Sequence, residues 1–264
     1  MFNIFRRKLN NKNLKAETLA DKLEIAKQQL ISDLEKNGME FLITKMESDE
    51  EYSDLILERR KIDSGYGTKD MVSWYAYRQS DKLNTDKDKK ELLELLSKEK
   101  FSNSKKYIYC CLSSICSNNN DKDLFNFLIE KVQQENDEST RVAILSRLNA
   151  VVKDSSYNIE PIKMLVKEGT SDESHAAIKA LSNTNDPEVE DILLDEFKIT
   201  STHMKGMICG PLSTVGTLKS IPILKEAYKK TRDSFLRMVI NDAVYKIETR
   251  EKVAIDKSIC KRQG

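Results

Sequence analysis

Glycine and proline are scarce in this 264-residue chain, with 8 and 4 copies. A sheet protein needs such residues at its turns, and few segments alternate apolar and polar residues with a period of two, so a β architecture is excluded. Only two histidines occur, which argues against a histidine-based metal site. The five cysteines (Cys110, Cys111, Cys116, Cys209 and Cys260) form no CxxC pair with zinc spacing. No run reaches the roughly 18 apolar residues that a membrane span needs, so stable membrane insertion is not expected. Charge of one sign is also missing: 44 basic and 43 acidic residues leave a formal net charge of +1. Such a chain sets up no global field to draw in nucleic acid, and none is expected as a partner. Motifs for hydrolytic or phosphoryl chemistry are absent, with no G-x-S-x-G, no H-E-x-x-H and no P-loop.

What the chain has is charge and helical periodicity. Charged residues make up 33% and hydrophobic ones 39%, the balance of a helical protein with solvated outer faces. The plainest stretch is 171–197, SDESHAAIKALSNTNDPEVEDILLDEF. Ala177, Ile178, Ala180 and Leu181 form an amphipathic run that Ser182-Asn183-Thr184-Asn185 interrupts. Asp186-Pro187 then starts a new helix, with proline in the first turn where its missing N–H does no harm. Val189, Ile192, Leu193 and Phe197 give that helix its apolar stripe.

The same context recurs. Apolar residues at Ile115, Leu148, Leu181, Leu212 and Val244 stand 33, 33, 31 and 32 residues apart. Each has apolar or small residues three and four positions earlier, apart from Asn241 before Val244. Five such positions in register predict five helical hairpins: 87–99 with 103–117, 121–135 with 138–153, 158–168 with 171–183, 186–198 with 202–216, and 218–230 with 232–249. Each hairpin buries its stripe only against its neighbours.

Three regions follow: a helical N-terminal cap region over 1–85, a repeat array over 86–249 and a loose C-terminal tail over 250–264. Arg6, Arg7, Lys8, Lys12 and Lys15 make the first residues basic, so that a frayed terminus or a short amphipathic membrane contact both fit. A helix is predicted from Thr18 to the Asn37-Gly38 stop, with further helices over 39–46 and 49–61. Between 16 and 58 there are 12 acids and 4 lysines, a net charge of −8 carried on solvated helix faces. Asp63 to Thr68 reads as a turn into a helix holding Trp74, Tyr75, Tyr77 and Arg78, either a cover for the array's open end or an interface. With no secretory-type apolar segment in MFNIFRRKLNN and an odd number of cysteines, the expectation is a cytoplasmic protein.

The second helix that ends in Ala-Leu before a polar Asp-Pro turn resembles the short, bacterial type of HEAT repeat, as found in phycobilisome-lyase-type proteins. The resemblance covers 86–249 and implies an all-α fold, an α-α superhelix, whose concave face holds a protein or peptide without cofactor or catalysis. Toxin-neutralising immunity proteins are one version of that implication. The family also contains enzymes, bilin lyases and alkylpurine DNA glycosylases. The second helices here carry few cations and the only Trp lies outside the repeats, which does not fit a glycosylase groove, and nothing in the sequence indicates the pigment-binding pocket of a bilin lyase. Positions two, five and six before each reference residue then line the concave side. The partner-binding candidates on it are Tyr109, Val142, His175, Lys179, Met207, Met238 and Asp242, with Trp74 on the cap. This face is apolar for one exposed to water, so a partner groove and tight packing between second helices are both open. His175 is expected as a surface imidazole, and Asp186, Glu188, Glu190, Asp191, Asp195 and Glu196 as a solvated outer face. Pro211, after Gly206 and Gly210, removes a hydrogen bond to the Met207 carbonyl and is expected to kink or break its helix.

Overall fold

The computed structural model describes residues 19–36 and 80–262. The basic segment 1–18, the predicted helices over 39–61, the 63–68 turn and the Trp74 cluster lie outside the described residues. Among those described the chain is all-α. Helix α1 spans Leu19–Lys36 and places Leu34 in the buried core. Ten helices follow: α2 (Asp86–Leu96), α3 (Lys105–Asn119), α4 (Lys122–Gln134), α5 (Glu138–Leu145), α6 (Glu160–Glu168), α7 (Ser171–Ala180), α8 (Pro187–Ile199), α9 (Thr202–Val215), α10 (Ser220–Lys230) and α11 (Ser234–Arg262). They pair as the five hairpins that the period predicts.

Helix starts follow local chemistry. The side chains of Thr85, Asp121, Asp137, Thr170, Asp186 and Ser201 each accept a backbone N–H in the first turn of the helix they open. Thr170 and Glu173 complete a reciprocal capping box on α7. Pro161 and Pro187 occupy first-turn positions, where no donor is lost.

The second helices form one continuous layer: α3 packs on α5, α5 on α7, α7 on α9 and α9 on α11. All five reference residues are buried in this layer, Ile115, Leu148, Leu181 and Leu212 fully. Polar bonds stitch the second-helix layer to neighbouring backbone. Asn118 Nδ2 donates to the Leu83 carbonyl (2.8 Å), Asn183 Nδ2 to that of Asn149 (3.0 Å) and Arg250 Nη1 to that of Ser213 (2.8 Å). Asn120 and Asn183 adopt φ of 50° and 56°, the left-handed region that Asn tolerates best after Gly.

Three sequence expectations change here. Helix α5 stops at Leu145, and Leu148 lies in a short 3-10 turn over Leu148–Ala150. Backbone pairing of Lys153 with Asn183 and Asn185 (2.9 and 2.7 Å) draws the chain out of the helix. Pro211 does not break α9, which runs unbroken from Thr202 to Val215. Packing of α9 against α7, α8 and α11 holds both sides of the proline. Residues 250–262, expected to be loose, continue α11. Arg250 anchors that extension by donating to the Ser213 and Gly216 carbonyls.

Candidate functional site

The candidate face is the side of the second helices turned away from the reference residues. It opens progressively along the chain. On α3 it is closed: Tyr109 is 3% exposed, and Cys110 and Ser113 are buried with it. The segment 80–84 lies against this helix. Ser114 Oγ donates to Ser80 Oγ (2.8 Å), and Arg147 pairs with Asp81 (2.8 Å). The Tyr109 hydroxyl donates to Glu135 (3.2 Å). Tyr109 therefore belongs to the core and not to an open groove; packing prevails at this end.

From α5 onward the face emerges. Val142 is half-buried beside buried Ala143. On α7, His175 and Lys179 are half-buried around Ala176. On α9, Met207 is half-buried, and a Cβ added at Gly210 would meet nothing within 4 Å. Met238 on α11 is 60% exposed, and Asp242 is exposed and pairs along the helix with Lys246 (2.7 Å). Trp74 lies outside the described residues.

The structure brings together residues that sequence reasoning kept apart. His175 and His203, the only histidines of the chain, meet edge to face with ring centroids 6.3 Å apart. His175 is not the free surface imidazole expected: its Nε2 is enclosed and has no hydrogen-bond partner. Burial first, then the positive neighbours Lys179 and His203, depress its pKa below the ordinary histidine value. Phe235, 48% exposed, lies on α9 because Gly206 leaves room; a Cβ there would come within 2.9 Å of the ring. His203 and Phe235 both stand nine positions before their reference residues, Leu212 and Val244. Extending the face by one helical turn in the sequence would have found both.

Three of the described cysteines hold their protons firmly. Burial pushes the Cys110 thiol up to about 11 and those of Cys116 and Cys209 to about 12. Among the described residues one carboxylate group has metal-like spacing, Glu160, Asp186 and Glu188, with oxygens within 4.8 Å of one another. The Lys163 ammonium already joins all three, at 2.8, 2.7 and 2.6 Å. The outer acidic run of α8 is thus less solvated than its sequence implied. Glu190 is buried in it and accepts from the Thr217 N–H (2.7 Å) and from Ser220 Oγ (2.5 Å), fixing the start of α10.

No family model, curated protein or solved structure matches this chain. No described helix is long and apolar enough to cross a membrane.

Proposed function

We propose that the chain is a HEAT-like superhelical module that binds a protein or peptide along the second-helix face between α7 and α11, acting through contact and not catalysis. One observation carries this reading: the face is sealed at α3 and stays open at α9 and α11, where Met207, Met238 and Phe235 present apolar surface. Exposed apolar side chains grouped on one face of a protein mark an interface, and thioethers adapt to the shape of what they meet. Gly210 lets a partner's backbone approach α9 closely. A toxin-neutralising immunity protein is one form of this reading, with a toxin domain as the partner.

Site-specific photo-crosslinking tests it. A photoreactive residue at Met238 or Met207 is expected to give a single protein adduct in the native host. The same group at Val152, exposed just after the Leu148–Ala150 turn, gives none. The adduct partner, purified, should bind the wild-type chain. Equal adducts from both faces, or none from Met238 and Met207, would refute the reading.

A further inference from the structure

A second surface differs from one of its neighbours in a single charge. At the edge where first helices end and second helices begin, grooves lie between successive hairpins. In the groove between α4–α5 and α6–α7, Arg141 Nε bonds to Glu173 of the next hairpin. Arg141 stands seven positions before Leu148, and Glu173 eight before Leu181. The groove between α8–α9 and α10–α11, about 480 Å³, repeats the cation and loses the acid. Lys205 stands seven before Leu212, but the position eight before Val244 is Leu236.

The rest of that groove is also basic. Lys198, Lys205, Lys230 and Arg232 line it against one carboxylate, Glu226. Glu226 is taken by Lys230 (2.6 Å), and Lys198 is held from outside the groove by Asp195 (2.9 Å). Among the described residues, Lys205 and Arg232 make no ion pair; Lys205 has only the face of the Phe197 ring, 5.8 Å away. Half-buried Ile223 and Ala227 line the same groove with apolar surface, above the buried side chains of Phe197 and Leu236.

We propose that this groove binds an acidic linear segment of a partner protein. One carboxylate of the segment meets Lys205 as Glu173 meets Arg141, a second meets Arg232, and an apolar side chain rests on Ile223 and Ala227. Charge-assisted bonds of this kind set register and specificity. Two uncommitted cations over an apolar floor suit a peptide better than a nucleic acid, whose binding rests on many phosphate contacts. The surface is separate from the face between α7 and α11, and the inference stands without that reading.

Fluorescence anisotropy on the full chain tests it. The probe is a fluorescein-labelled peptide containing Asp-Glu-Leu-Glu-Asp-Phe; its amide analogue (Asn, Gln) and a 12-nucleotide single-stranded DNA are the comparisons. The acidic peptide should bind saturably, the amide analogue at least about tenfold more weakly, and added salt should weaken the complex. Lys205→Glu with Arg232→Glu should cost at least about tenfold in affinity with an unchanged helical spectrum, and Lys205→Ala with Arg232→Ala should cost less. Met238→Glu should leave this binding intact, which separates the two surfaces. No binding of the acidic peptide, equal binding of the amide analogue, indifference to the double substitution, or tighter binding of the DNA would each overturn the proposal.

Discussion

Lys153 makes stability depend on pH in a window that few other groups share. Its side chain is fully buried, and Nζ donates to the carbonyls of Leu148 (3.1 Å) and Val151 (2.6 Å). Desolvation pulls the amine from 10.5 down to about 7, with Cys116 opposing the shift. A neutral amine has two N–H donors, and these two carbonyls use both. Between pH 7 and 10.5 the unfolded chain therefore holds a proton at Lys153 that the folded chain does not. By linkage, stability rises with pH over that range, at up to about 1.4 kcal/mol per unit for one proton. Integrated from pH 7 to 8.5, with half of the folded molecules protonated at the start, the gain is about 1.6 kcal/mol. The buried thiols act in the opposite sense, because the unfolded cysteines begin to ionise near about pH 8 and the folded ones later, so they offset part of this gain toward pH 8.5. His175, depressed below 6.5, acts only on the acid side.

Urea unfolding followed by circular dichroism at pH 7.0, 7.5, 8.0 and 8.5 measures the slope. The wild-type chain should gain about 1.6 kcal/mol more across the series than Lys153→Met, which is similar in shape and has no titrating group there. Parallel profiles for the two would mean that the two carbonyls hold Lys153 as an ammonium ion.

Three further outcomes follow from the packing. Leu148→Ala and Leu181→Ala, both at fully buried sites, should each cost about 2–5 kcal/mol in urea unfolding; a loss below about 0.5 kcal/mol, typical of surface sites, would show that the reference register is not the core. Glu190→Ala should cost about 2–3 kcal/mol, because it leaves the Thr217 N–H and the Ser220 hydroxyl without their charged acceptor. Glu190→Gln keeps one acceptor oxygen and should cost less, and equal losses would assign the effect to volume alone. Met238→Glu, on an exposed position, should shift stability by no more than about 0.5 kcal/mol while removing the adduct formed from position 207; a large loss of stability would show that Met238 is structural.

The period of the chain was legible because it is written in residues whose burial is obligatory. Ile115, Leu148, Leu181, Leu212 and Val244 are each surrounded by apolar neighbours one turn away, and no other arrangement removes all of them from water. Helix starts were legible for a different reason, since Thr170, Asp186 and Ser201 act on donors within three residues. The openness of the candidate face was not, because it depends on what lies over each helix. Tyr109 and Met207 hold comparable places in the register, but Ser80 to Asn84 cover α3 and nothing comparable among the described residues covers α9. The unmatched Lys205 was hidden in the same way. A lysine at the start of a helix reads as solvated, and only when the turns are superposed does it stand where Arg141 has its carboxylate and it has none. Arg141 and Lys205 share one register position, seven before their reference residues, and only Arg141 has an internal acid there. Lys205 is therefore the place to expect an external one.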